Sequence, residues 1–160
     1  MNSYIVIHLD EKFNDIIDIN NEFNLALENF SNKIDKKIIL TSYNNNFNYY
    51  HNLQFPKKNL STLTIADIEK YKITIIENLS LSDFNDLLNN SNCNISCHSG
   101  YFVHTSLGLK KKTIDIINET DLIWLQTWIS EKNKYKIVLK SKKDSKISIK
   151  DILKLIKNEI

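Results

Sequence analysis

Residues 93–117 read Cys-Asn-Ile-Ser-Cys-His-Ser-Gly-Tyr-Phe-Val-His-Thr-Ser-Leu-Gly-Leu-Lys-Lys-Lys-Thr-Ile-Asp-Ile-Ile. The order of residue types in this stretch decides the fold. Residues 93–97 suit a short buried strand, His98-Ser99-Gly100 a tight turn, residues 101–107 a short helix, and residues 112–117 a further strand. Gly108 falls where a helix C-terminal glycine belongs. The whole chain has two glycines, Gly100 and Gly108, where a typical chain of this length carries roughly 11. Both lie here, so the sequence predicts that these positions need backbone freedom or the lack of a side chain. A strand, a glycine turn, a helix and a strand together place a helix N-terminus over the carboxyl end of a parallel sheet. Anionic ligands bind at that end.

Working outward, the same grammar repeats. Residues 4–9 (Tyr-Ile-Val-Ile-His-Leu), 37–41 and 72–77 are dense β-branched runs, as expected of strands buried on both faces. Between the first two, Phe13, Ile16, Ile17, Phe23, Leu27, Phe30 and Ile34 follow helical spacing, with Asn20 interrupting the stripe where the helix bends or restarts. Ser80-Leu81-Ser82-Asp83 has the form of a helix start, and Leu81, Phe84, Leu87 and Leu88 make its apolar face. A helix over 119–131 carries Leu122, Leu125, Trp128 and Ile129, with Trp124 on the same side. A strand over 135–139 follows, and Ile149, Ile152, Leu153 and Ile156 mark a final helix.

Residues 49–53 read as a short helix closed off by Pro56, the only proline. Residues 57–71 are ambiguous, with 60–65 readable as a strand or an irregular crossover. Alternation of strands and helices predicts a single α/β domain over 1–160, Rossmann-like, its parallel sheet covered on both faces.

Composition narrows the function. The apolar share of 42% and charged share of 25% are those of an ordinary globular chain, and 160 residues suffice for a real core. A net charge of +2 does not point to nucleic acid or a membrane surface. Cys93 and Cys97 share one face of a strand, too far apart for a disulfide, and read as buried thiols in a reducing compartment. Neither a long apolar run nor a signal peptide is evident, so the expected location is cytoplasmic, with no membrane span.

Ser99 and Gly100 carry the strongest functional signal: free backbone N–H groups, a small residue permitting close approach, and a helix dipole suit a phosphate. Lys12, in the loop after the first strand, lies at the same sheet edge and can neutralise a diphosphate. Four histidines, His8, His51, His98 and His104, invite a metal reading. Cys97 and His98 point to opposite faces, however, and no convergent set of four ligands emerges, so no metal or cofactor is expected. His8 reads as a core or strand-end histidine. The clusters at 110–112 and 140–146 lack interleaved aromatic platforms and predict no nucleic-acid partner. No Walker loop, Gly-x-Gly-x-x-Gly, His-Glu-x-x-His or Gly-x-Ser-x-Gly occurs.

Together, Leu79-Ser80-Leu81-Ser82-Asp83-Phe84, the pair Leu87-Leu88, and Asn94-Ile95-Ser96-Cys97-His98-Ser99-Gly100 with His104 resemble the donor-binding half of heptosyltransferase-like glycosyltransferases of the GT-B fold. There a leucine pair and a short strand lead into Asp-Thr-Gly-Pro-x-His at a helix start. Residues 4–12 are similar to that family's first donor-domain strand with its phosphate-facing lysine, and residues 37–45 resemble its second strand and ribose-side loop. His98 stands where the family has Asp, Tyr101 replaces Pro, and His104 lies one residue further along.

The resemblance implies a nucleotide-activated sugar as ligand. Its diphosphate would lie near Lys12, His98, Ser99, Gly100 and His104, and its nucleoside near Thr41, Ser42, Asn44, Glu77 and Asn78. Metal-independent glycosyl transfer is expected where an acceptor domain or chain is supplied, since the chain begins at the first donor-domain strand. The alternative is a non-catalytic or truncated binding module that needs a partner chain.

Overall fold

The computed structural model describes residues 4–9, 16–17, 21–42, 53–59, 70–97, 100–118, 122, 135–140, 147–158 and 160. Their strands are β1 (Tyr4–His8), β2 (Lys37–Thr41), β3 (Lys57–Asn59), β4 (Ile73–Glu77), β5 (Cys93–Ser96), β6 (Thr113–Asn118) and β7 (Tyr135–Lys140). Their helices are α1 (Asn21–Ile34), α2 (Leu81–Asn90), α3 (Gly100–Gly108) and α4 (Ile149–Lys157). The seven strands form one sheet in the order β3-β4-β2-β1-β5-β6-β7. Every pair of neighbours is parallel.

Central position explains why β1 is so uniformly apolar. It pairs with β2 on one side and β5 on the other, and Ile5 to His8 are all buried. Alternate residues serve opposite faces. Ile5, Ile7 and Leu9 join Ile38, Leu40, Ile75, Ile95 and Ile114 beneath α1 and α4. Val6 joins Ile39, Ile76 and Ile117 beneath α2 and α3. Each such side chain stabilises the fold by roughly 1.5–3 kcal/mol through burial, so two-sided coverage, more than strand propensity, selects this arrangement. Cys93 and Cys97 are buried thiols, not joined in a disulfide, in the first of these layers, in keeping with their reading as core residues.

The apolar stripe before β2 restarts as helix at Asn21, just past Asn20. Ile17, ahead of it, is in extended contact with Ile147 through an isolated parallel bridge, supported by the Ile147 N–H donating to the Ile16 carbonyl at 2.8 Å. That bridge brings the start of α4 beside the start of α1. Glu22 and Lys150, each in a first turn, then pair at 3.0 Å.

One open segment gains a strand, and one expectation requires correction. Lys57–Asn59, within the ambiguous 57–71 segment, is a strand. It escapes a hydrophobicity reading because it is a polar three-residue edge strand, protected by lysine in the usual way. Gly108 does not supply the left-handed residue that ends α3. Neither glycine has positive φ, and Lys110 adopts it instead at φ 57°. The Lys110 N–H donates to the Leu107 carbonyl at 2.8 Å and the Lys111 N–H to the Ser106 carbonyl at 2.9 Å, a Schellman ending whose left-handed position lies two residues past the glycine. The readings over 49–52, 60–65 and 123–131, including Trp124 and Trp128, lie outside the described residues.

Candidate functional site

Strand order reverses at the β1–β5 pair. From β1 the chain builds outward through β2 to β4, then crosses to β5 and builds the other way through β6 and β7. In a doubly wound sheet the crevice beyond the carboxyl ends at such a reversal is the binding position. Helix α3 opens beside it, directly after β5. Its first four N–H groups have no partner within the helix, and its positive dipole end faces the same edge.

Charge distinguishes this helix start from its neighbours. Glu22 in α1, Asp83 in α2 and Asp151 in α4 each place a carboxylate in the first turn, whereas α3 has none. A Cβ built on Gly100 meets nothing within 4 Å. The glycine is therefore not required by the packing of the described residues.

An aromatic floor underlies this edge. His8, at the end of β1, is fully buried and stacks on Phe102 of α3, with ring centroids 5.0 Å apart at 16°. It meets Phe84 of α2 edge-on at 5.5 Å. Tyr101 extends the group to the surface, 6.2 Å from Phe84, with its hydroxyl 3.4 Å from the Asn85 side-chain oxygen. Burial pushes the His8 pKa down to about 3, so the ring is neutral at ordinary pH. Its Nδ1 lies 3.0 Å from Thr41 Oγ1 at the end of β2. The cluster thus ties β1 and β2 to both helix starts. The sequence offered only one hint of it: a histidine inside a β-branched run, on the face shared with Val6.

Behind α3, buried polar contacts lock the helix to the sheet. The Asn94 side-chain amide donates to Ser106 Oγ at 2.7 Å, and Ser106 Oγ is in turn 2.7 Å from Thr113 Oγ1. Ser91 Oγ donates to the Asn94 side-chain oxygen at 2.8 Å. One strand further, Asp115 accepts from Ser96 Oγ at 3.2 Å and from the Tyr135 hydroxyl at 3.0 Å. Burial, reinforced by the Asp115 charge and hydrogen bond, raises the Tyr135 pKa far above the ordinary phenol value. A fully satisfied buried network of this kind fixes one position of the helix, and so one position of its N-terminus.

Of the residues expected at a site, Gly100 opens α3 at the switch point. Thr41 is buried at the end of β2 against His8, and Ser42 follows it half-buried. Glu77 ends β4, with its carboxylate 3.7 Å from the Lys57 ammonium, and Asn78 beyond it is left-handed at φ 56°. Three strand spacings separate β4 from β5, about 14 Å, so Glu77 and Asn78 flank the edge at a distance suited to another part of an extended ligand. His104 is exposed on α3, one turn or about 6 Å beyond Gly100. Lys12, Asn44, His98 and Ser99 lie outside the described residues. Among the described residues no group of three His, Cys, Asp or Glu side chains is placed to hold a metal ion, and no helix is long and apolar enough to cross a membrane.

Sheet order, two-sided helical cover and a helix opening at the reversal define one half of a GT-B glycosyltransferase fold, in a Rossmann-like arrangement. The particular likeness is to E. coli heptosyltransferase WaaC. Its structure with ADP superposes at a TM-score of 0.67 and 11% identity, covering 99% of this chain and 45% of that one. Its structure with ADP-2-deoxy-2-fluoro heptose superposes at 0.62, again at 11% identity, covering 99% of this chain and 44% of that one. This chain therefore spans about half the length of the structures it matches and shares the fold of the part it covers. No family model and no curated protein sequence matches it.

Proposed function

We propose that this domain binds a nucleotide-activated sugar through its diphosphate at the start of α3. The observation that carries the reading is the acid-free first turn of α3 at the strand-order reversal, with open space above Gly100. The ligands held by the similar structures, ADP and an ADP-sugar analogue, support the same ligand class. The diphosphate accepts hydrogen bonds from the first-turn N–H groups, with Ser99, His98 and His104 around it and Lys12 opposing its charge. Thr41, Ser42, Asn44, Glu77 and Asn78 serve the nucleoside side.

In transfer, an acceptor hydroxyl oxygen forms a bond to the anomeric carbon while the bond to the phosphate oxygen breaks. The electron pair leaves with the nucleoside diphosphate, where the helix dipole and Lys12 stabilise it without a metal. The hydroxyl proton passes to a base supplied by an acceptor domain or chain. Calorimetry with a panel of nucleoside diphosphates and nucleotide sugars tests this. At least one should bind, and Gly100→Val and Lys12→Ala should each weaken it. Unchanged affinity in both variants would place the site elsewhere.

A further inference from the structure

A second feature lies on the far face of the sheet, between α1 and α4. These helices run side by side in the same direction, as their paired first turns show. A groove of about 440 Å³ separates them, floored by Ala26, Phe30 and Leu153 and rimmed by Lys33, Lys150, Lys154 and Lys157. Among the described residues no carboxylate lines it. Among the described residues, the ion pairs engage just one of these lysines, Lys150.

Lys33, Lys154 and Lys157 occupy last turns, where a cation complements the helix dipole. That role is too small to account for them: two helix ends sum to about −1 charge, against three ammonium groups. The surplus faces one apolar trough. Volume then selects the occupant. Pockets for small organic ligands span roughly 300–1,000 Å³, and this groove falls within that range.

We infer that the α1–α4 groove binds a small phosphorylated organic anion, its apolar body on Phe30 and Leu153 and its phosphate among Lys33, Lys154 and Lys157. This site is separate from the carboxyl-edge site and does not depend on it. The probe is 1-naphthyl phosphate, followed by calorimetry and by amide NMR shifts on the full chain, with inorganic phosphate and 1-naphthol as controls.

The naphthyl phosphate should shift residues of α1 and α4 and bind more tightly than either control. The exposed double variant Lys33→Glu/Lys154→Glu should weaken it by about tenfold or more, while Gly100→Asp leaves it unchanged. Equal binding of inorganic phosphate or of 1-naphthol would remove the apolar floor or the lysines from the explanation and overturn the inference. So would insensitivity to the double variant. Shifts at α1 and α4 that arise on concentrating the protein alone would assign the groove to a second copy of the chain, and would equally overturn it.

Discussion

Helices α2 and α3 begin at the same edge of the same sheet and pack on the same face, yet their starts are built in opposite ways. At α2, Ser80 Oγ accepts from the Asp83 N–H at 3.1 Å and donates to the Asp83 carboxylate at 2.6 Å. The positive end is capped and neutralised from within. At α3 the first turn is Gly100, Tyr101, Phe102 and Val103, with no acid and with open space over the glycine. One start is closed for stability. The other has no carboxylate of its own in its first turn. Since both rest on the same His8, Phe84 and Phe102 cluster, support beneath them does not explain the difference.

The shared support should show the largest effect. Phe102 is fully buried, and Phe102→Ala should cost about 3–5 kcal/mol, read as a lower midpoint in denaturant unfolding. A loss under 1 kcal/mol would mean that the cluster does not hold the two starts in place. Next comes pH. The folded pKa of His8 is about 3, against an unfolded value near 6.5. Between those values the unfolded chain binds a proton that the folded chain does not. Stability is full above about pH 6.5 and falls with acid by up to roughly 1.4 kcal/mol per pH unit. Urea midpoints measured across pH 4–7 should lose that component of their slope in His8→Asn.

Smaller effects separate the helix ends themselves. Ser80→Ala should cost about 1 kcal/mol of stability and leave nucleotide affinity alone, because the α2 cap serves only its own helix. A matching loss of affinity would dissolve the distinction between the two starts. At the other end of α3, Lys110 adopts a left-handed backbone that costs a side-chain-bearing residue about 1 kcal/mol relative to glycine, so Lys110→Gly should raise the melting temperature by a few degrees. No change there would remove the Schellman ending from the description of α3.

What the sequence revealed, it revealed where the physics is local. The Ser80–Asp83 cap is written in four consecutive residues, and the β-branched runs at β1, β2 and β4 follow from burial on both faces. Strand order was not legible, since nothing within β1 names β2 and β5 as its neighbours. Lys57–Asn59 was missed because an edge strand needs no apolar pattern. Glycine scarcity drew attention to α3 for a reason that held only in part. Gly100 leaves room over the helix start, but neither glycine needs an unusual backbone, and the left-handed residue is a lysine. Thr41 and His8 are 33 residues apart, and the groove lysines sit on two helices far apart in the chain. Such contacts exist only once the sheet has folded.

Calorimetric titration of ADP and ADP-sugars into the unmodified protein and into Gly100→Asp addresses the open helix start directly. A Cβ at position 100 meets nothing within 4 Å, and the new carboxylate should complement the dipole, raising stability by about 0.3–1 kcal/mol. The same charge opposes a bound diphosphate, and affinity should fall about 100-fold, roughly 3 kcal/mol. A variant that gains stability and loses the ligand would show that this helix end is kept free for an anion. Undiminished affinity in a folded Gly100→Asp protein would contradict it.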